Sequence, residues 1–143
     1  MNLIRISWGV LALVLVGFAV FEGAKYGGVA IAVLVVFAIL PDLSLIGAFA
    51  ERGRLRPDRV RLYNVAHAWW LPVALIGASL VVPIPGFGWG LRPGLEVFLA
   101  GLAWLAHIAV DRVVGYGLRA PDGSIRPVGR PYVPAGAARE QDA

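Results

Sequence analysis

The stretch GLEVFLAGLAWLAHIAVDRVVGYGL, residues Gly94–Leu118, decides the fold of this chain. It is apolar over most of its length, and a helix needs about 20 such residues to cross roughly 30 Å of hydrocarbon. Three further apolar segments precede it, at Ile6–Phe21, Tyr26–Ala50 and Tyr63–Val82. These continuous runs lack the alternation of barrel strands, so in lipid only helices satisfy their backbone. The sequence therefore predicts an all-α polytopic membrane protein, a bundle of four transmembrane helices.

The composition agrees with this prediction. Of the 143 residues, 59% are hydrophobic and 15% are charged, whereas a soluble domain carries about 25% charged residues. The absence of cysteine excludes disulfides, thiolate metal sites and thiol catalysis. We expect one transmembrane domain over residues 1–120, with helices near 4–21, 26–50, 59–82 and 94–118.

The two ends of the chain need separate interpretation. A cleaved signal peptide is the alternative for the first apolar segment, because Arg5 precedes it. That segment is long for a signal, and no convincing A-x-A-like cleavage site follows it at Phe18–Glu22, so we expect a retained helix. Residues 121–143 form a tail rich in proline, glycine and arginine, which we expect to be largely disordered at its end.

Positive charge is concentrated at one end of the predicted spans. Arginines precede the first span, follow the last and fill the loop between the second and third, whereas the opposite loops hold only Lys25 and Arg92. This positive-inside pattern predicts a multi-pass membrane protein with both termini and the middle loop in the cytoplasm. The net charge of +4 accordingly indicates topology and contact with the lipid bilayer, not nucleic acid.

Polar side chains interrupt the predicted spans, and in hydrocarbon an ionisable group costs several kcal/mol unless it is paired, solvated or ligated. The candidates are Asp42, Tyr63, Asn64, His67, His107, Asp111 and Arg112. At about 1.5 Å of rise per residue, His107 and Asp111 lie one turn apart on a shared face. Counting inward from the flanking charged residues places Asp42, His67 and Asp111 at similar depths, about 9–13 Å from the cytoplasmic ends. Side chains at one depth on three spans meet in one polar pocket if they face inward.

Two imidazoles and two carboxylates in one pocket favour a divalent metal, with zinc, manganese or iron as candidates. In this hypothesis His67, His107, Asp111 and Asp42 are the metal ligands. The predicted function is that of a membrane protein whose polar cluster binds a metal, an ion or a small ligand, or orders the bundle. The alternative is a membrane-embedded metal-dependent hydrolase acting on a lipid-like or phosphorylated substrate, with Arg112 as the anion clamp.

Other interpretations of the same residues stay open. The polar groups form a structural network if Asp111 pairs with Arg112 and His67 bonds Asn64 or a backbone carbonyl. Alternatively, the two histidines move protons. A small bundle often forms a homodimer, although the glycine pairs of this chain do not match the G-x-x-x-G motif.

Three motifs carry a resemblance to a known family. They are Pro-Asp-Leu-Ser at 41–44, Tyr-Asn-Val-Ala-His at 63–67, and the segment 104–118, which contains H-x3-D-R followed by G-Y-G-L. Over about residues 3–130 the chain resembles the domain-of-unknown-function family four-two-six-zero of small bacterial membrane proteins. The resemblance implies four transmembrane helices and no assigned biochemical activity. A looser similarity, at the level of motifs, exists to membrane-bound metal-dependent hydrolases, which also pair a Pro-Asp motif with a later H-x3-D motif.

Overall fold

The computed structural model describes residues 2–51, 53–81 and 83–134. Within them the elements are α1 (Leu3–Tyr26), α2 (Gly28–Ile39), a 3₁₀ segment (Leu40–Leu45), β1 (Phe49–Glu51), β2 (Arg54–Leu55), α3 (Pro57–Ala66), α4 (Trp70–Val81) and α5 (Pro93–Val114). Among the described residues these elements give four spans long and apolar enough to cross a membrane: α1, α2 with the 3₁₀ segment, α3 with α4, and α5. The predicted helical architecture with four spans is confirmed, and the short β1–β2 hairpin is an addition to it.

The central helix of the bundle is α5, which packs against α1, α2 and α4. Ala103 of α5 and Val33 of α2 belong to one buried apolar cluster, and small residues at such contacts let helices approach closely. Helix α4 packs closely against α5 at Gly101, where an added Cβ would lie 2.8 Å from Ile76 Cγ1. Outward-facing side chains of α1 are apolar and exposed, Leu13 among them. The bundle thus has the apolar surface that a lipid environment requires.

The second span ends earlier than the predicted residue 50. Pro41 lacks an N–H and therefore cannot continue the helical hydrogen bonding of α2, and the chain tightens into the 3₁₀ segment. The hydroxyl of Ser44 donates to the Pro41 carbonyl at 2.7 Å, which satisfies one of the freed backbone oxygens. Gly47, with φ of 64°, then turns the chain into β1.

The first and last spans also end away from their predicted limits. The last span stops at Val114 instead of residue 118, because Gly115 adopts a left-handed conformation with φ of 103° and caps the helix. The first continues to Tyr26 instead of residue 21 and ends at Gly27, whose φ of 78° leaves the helical region.

The third span is broken, whereas the sequence predicts one helix over 59–82. It begins at Pro57, and helical structure is interrupted between Ala66 and Trp70. Pro72 has no N–H for the carbonyl four residues earlier, that of Ala68, which instead accepts from Leu71 at 3.2 Å. The predicted final residue of this helix, at position 82, lies outside the described residues.

One end of the bundle, here named the basic end, carries the start of α1, the β1–β2 hairpin and the end of α5. Nε of Arg5 donates to the Val113 carbonyl at 2.8 Å, which fixes α1 against the end of α5. The N–H of Leu55 donates to the Gly123 carbonyl at 3.0 Å. Residues 121–134 therefore pack against the bundle, and the end of the tail, where disorder is predicted, lies outside the described residues.

At the opposite end, a single carboxylate organises the loop between α4 and α5. Glu96 is fully buried. Its oxygens accept the backbone N–H groups of Phe87, Gly88, Trp89 and Leu91, at 2.5, 3.1, 2.9 and 3.1 Å. The sequence predicts a turn-rich loop here, and Glu96 explains how its amides are satisfied without water.

Candidate metal centre

Four of the polar residues predicted to face inward come together near the basic end. They are Asp42 of the 3₁₀ segment, His67 at the end of α3, and His107 and Asp111 of α5; we call them the four-residue cluster. Nε2 of His67 lies 3.8 Å from Asp42 Oδ1 and 3.4 Å from Asp111 Oδ2. Nε2 of His107 lies 3.6 Å from each of these two oxygens. Three spans thus direct two imidazoles and two carboxylates to one point.

These distances are too long for hydrogen bonds between imidazole and carboxylate, which span about 2.7–3.2 Å. Both Nε2 atoms are buried and have no hydrogen-bond partner among the described residues. By contrast, four ligands that bind a tetrahedral zinc at about 2.0–2.2 Å are about 3.3–3.6 Å from one another. The four imidazole–carboxylate separations, 3.4–3.8 Å, lie at or just above that range. Ligand atoms of Asp42, His67 and His107 all lie within 4.8 Å of one another, a group that does not include Asp111. The spacing of these three residues is therefore that of groups that could share an ion, and Asp111 faces the same two imidazole nitrogens.

The break in the third span places His67 in the cluster. Its ring Nδ1 lies 3.0 Å from the Tyr63 carbonyl, and the ring stacks on that of Tyr63 with centroids 3.9 Å apart. A carbonyl only accepts, so Nδ1 carries the proton and Nε2 presents its lone pair to the cluster. Metal-binding histidines are commonly oriented in this way by a carbonyl behind the ring.

Two side chains of α5 stabilise the break itself. Its open geometry frees the carbonyls of Ala66 and His67 from helical hydrogen bonding. Nε1 of Trp104 donates to the Ala66 carbonyl at 2.7 Å, and a guanidinium nitrogen of Arg112 donates to the His67 carbonyl at 2.9 Å. The two oxygens are thereby satisfied inside the bundle, as buried backbone groups must be.

Arg112 does not occupy the position that its predicted role as an anion clamp requires. Its second terminal nitrogen donates to the Tyr116 carbonyl, and the residue is only 6% exposed. No ion pair between Arg112 and Asp111 within 4.0 Å occurs in the described part of the chain. The predicted alternative, a network built on that pair, is therefore not what the described residues form.

Asn64 and Tyr63 lie beside the cluster and bind the segment that follows α5. The amide of Asn64 donates to the Arg119 carbonyl at 3.0 Å and accepts the Arg119 N–H at 2.7 Å. The hydroxyl of Tyr63 donates to the Gly117 carbonyl at 3.4 Å. Both side chains thus position α3 and, through it, His67.

The cluster has a buried side and an open side. His67 is fully buried, and the His107 and Asp111 side chains are 13% and 17% exposed, whereas the Asp42 side chain is 51% exposed. The 3₁₀ segment produces this difference, because it places Asp42 where the α2 span leaves the bundle. Any ion in the cluster is therefore reached past Asp42.

Sequence reasoning missed the supporting residues more than the cluster itself. Trp104 and Arg5 are the clearest cases, because each donates to a backbone carbonyl of another span. Such contacts leave no spacing pattern in a sequence. Only the position of Trp104, one turn before His107, gives an indirect signal.

The fold and the cluster define a class: a helical bundle with four spans long and apolar enough to cross a membrane, and with acids and imidazoles gathered between three of them. A family model described as "Domain of unknown function (DUF4260)" matches residues 3–125, so the chain belongs to this family. The resemblance stated from the sequence motifs is thus confirmed at the level of the family. No curated protein and no solved structure matches the chain.

Proposed function

We propose that this chain is an integral membrane protein whose four-residue cluster binds one divalent metal ion, with zinc favoured. Asp42, His67, His107 and Asp111 supply two nitrogen and two oxygen ligands, a set that suits zinc in tetrahedral geometry. The observation that carries the proposal is the pair of buried, unpartnered Nε2 atoms facing the same two carboxylate oxygens at 3.4–3.8 Å.

A purely structural polar network has less support from this geometry. Leaving a buried polar atom without a hydrogen bond costs about 1–3 kcal/mol, and the cluster contains two such imidazole nitrogens. Because Nδ1 of His67 donates to the Tyr63 carbonyl, its Nε2 carries a lone pair and cannot donate to a carboxylate, so the carboxylates alone do not satisfy it. A metal ion bound by Asp42, His67 and His107, whose ligand atoms lie within 4.8 Å of one another, would satisfy both nitrogens, with Asp111 next to them.

One observation supports the hydrolase alternative, and another argues against it. The half-exposed Asp42 gives access to the cluster, which a metal-bound water and a substrate both need. The donors of Arg112 are, however, given to the carbonyls of His67 and Tyr116. Metal binding is therefore the stronger proposal, and hydrolysis would need another group to hold an anion.

The proposed location is the bacterial inner membrane, with the basic end and both termini in the cytoplasm. Arginines at or next to the β1–β2 hairpin and α3 lie at this end: Arg56 and Arg61 are exposed, and Arg54 and Arg59 are half-buried. Such a concentration of positive charge favours the cytoplasmic side. The homodimer stays a prediction, which light scattering of the protein in detergent tests.

Metal content tests the proposal directly. The chain has two histidines, and both belong to the cluster, so the protein should be purified in detergent with a tag that contains no histidine. Elemental analysis is expected to give about one zinc per chain, as in a single tetrahedral site. Cobalt substitution is expected to give the visible absorption of a tetrahedral N₂O₂ centre.

Matched variants locate the ion. His67→Ala, His107→Ala and Asp111→Ala are each expected to lose the metal, whereas Arg61→Ala, exposed on α3 and outside the cluster, is expected to retain it. Circular dichroism and gel filtration check that each variant is folded. Metal-free wild-type protein after incubation with zinc, or full metal content in both histidine variants, would overturn the proposal.

A further inference from the structure

An apolar cleft of about 700 Å³ lies between α1, α2 and α5. Its walls include Val20, Val35, Ala38, Ala106 and Val110, and His107 is the polar side chain among its lining residues. Ligand pockets commonly have volumes of about 300–1,000 Å³. The cleft thus has the size of a binding site, and its chemistry is that of hydrocarbon along nearly its whole length.

The cleft ends at the four-residue cluster. Along α2, Ala38 lines the cleft and Asp42 follows four residues later; along α5, Val110 lines the cleft and Asp111 is the next residue. His107 belongs to both, because its ring lines the cleft while its Nε2 faces the two carboxylates. From residue 103 to residue 110 the cleft follows α5 for about 10 Å. An occupant that fills it therefore reaches the cluster with one end.

We propose that the cleft binds the hydrocarbon chain of a single-chain amphiphile whose anionic oxygen headgroup reaches the metal of the cluster. This inference rests on the metal-binding function proposed above. Lipid tails are as apolar as the cleft wall, so inside a membrane the chain alone gains little from entering it. The headgroup supplies the selectivity, since zinc accepts oxygen ligands and, although usually four-coordinate, sometimes expands to five ligands. Asp42, the exposed member of the cluster, marks the side from which the oxygen enters.

The same chemistry has two sources, a free fatty acid and a lysophospholipid with a terminal phosphate. Radiolabelled laurate, lysophosphatidate and dodecanol are therefore titrated against detergent-purified protein, in the metal-loaded form and after removal of metal with EDTA. Dodecanol carries a similar chain without the anion, so it separates the contribution of the cleft from that of the cluster. Comparison of the affinities for laurate and lysophosphatidate identifies the preferred headgroup.

Two neighbouring residues of α2 give a matched pair of variants. Val35 lines the cleft and is exposed, whereas Val36 is exposed and does not belong to its lining. Val35→Trp fills the cleft, and Val36→Trp places the same bulk on the outer surface. Neither residue belongs to the four-residue cluster, so metal content should be unchanged in both variants.

The expected result is saturable binding of at least one anionic amphiphile to the metal-loaded protein. Its affinity is expected to fall about tenfold, or about 1.4 kcal/mol, in Val35→Trp and again on removal of metal, with no change in Val36→Trp. Dodecanol binding is expected to be weaker and independent of metal. Cobalt-loaded protein should change its visible spectrum when the anionic ligand binds.

Several results would overturn the inference. They are the absence of saturable binding to metal-loaded protein, equal loss in Val35→Trp and Val36→Trp, and anionic binding that is unaffected by metal removal. In each of these cases the elemental analysis still shows metal, so the proposed function survives. If the wild-type protein takes up no metal, the proposed function and this inference fail together.

Discussion

Replacement of Arg112 by glutamine is expected to destabilise the bundle, because Arg112 satisfies a carbonyl that the broken third span leaves free. The hydrogen bond to the His67 carbonyl is 2.9 Å long, and a second one reaches the Tyr116 carbonyl. A hydrogen bond to a charged group contributes about 1.5–3 kcal/mol, whereas contacts between membrane helices average about 0.6 kcal/mol. Glutamine is too short to replace both hydrogen bonds of Arg112. Because the His67 carbonyl is buried, we use the energy of a hydrogen bond to a charged group for its loss. We expect a loss of about 2–4 kcal/mol in the free energy of unfolding.

The assay is reversible unfolding in mixed micelles with increasing dodecyl sulfate, followed by the fluorescence of the five tryptophans. Arg61→Gln is the matched control, since Arg61 lies exposed on α3. Arg112→Lys is expected to be intermediate, because a lysine presents one ammonium group where arginine presents a fork of donors. Equal stability of Arg112→Gln and Arg61→Gln would refute the reasoning. So would a variant of normal stability that has lost phosphate binding, which is the result expected of an anion clamp.

Three further contacts give testable outcomes. Trp104→Phe removes the donor to the Ala66 carbonyl and is expected to lower the free energy of unfolding by about 1 kcal/mol in the same titration. Glu96→Gln leaves one acceptor oxygen for four loop amides, so hydrogen exchange of the α4–α5 loop is expected to accelerate while exchange at the basic end stays unchanged. The hydroxyl and the N–H of Ser124 lower the pKa of Asp122. The turn formed by Asp122 and Ser124 is therefore expected to be stable at pH values above the ordinary pKa of an aspartate and to loosen as the pH falls through the lowered pKa of Asp122. NMR titration of the Ser124 amide measures this change.

Each of these outcomes has a clear opposite. Wild-type stability of Trp104→Phe would mean that the Ala66 carbonyl finds another donor. Unchanged loop exchange in Glu96→Gln would show that the carboxylate charge is not needed. A Ser124 amide that titrates at the usual aspartate pKa or above it would contradict the hydrogen bonds to Asp122, and Asp122→Asn provides the baseline without titration.

Much of the fold was predictable because hydropathy alone defines membrane spans. The limits of those spans were less predictable, since they depend on hydrogen bonds made elsewhere. Pro72 removes one donor, but the place where the third span opens, at His67–Trp69, depends on Trp104 and Arg112 of another helix, which donate to the freed carbonyls. A sequence shows the proline and not the distant partners.

The cluster was partly predictable for a similar reason. Counting residues gives the depth of Asp42, His67 and Asp111, since helical rise is constant. It does not give the rotation of each helix, which packing decides, and so the inward orientation of these side chains remained an assumption. The role of Glu96 left no pattern at all, because its partners are backbone amides, which every residue except proline carries.

The position of Arg112 also affects the net charge of the bundle interior. The carboxyl end of a helix carries about half a negative elementary charge, and Arg112 bridges two such ends, those of α3 and α5. These contributions cancel and leave the two carboxylates of the cluster, of which Asp111 is 17% exposed and Asp42 51% exposed. Together they carry a charge of about −2, and its buried part is costly at low dielectric. A divalent cation brings the interior to electroneutrality. If the cluster binds an ion as proposed, ion uptake and insertion into lipid are thermodynamically linked, and a bilayer favours the loaded form of this bundle.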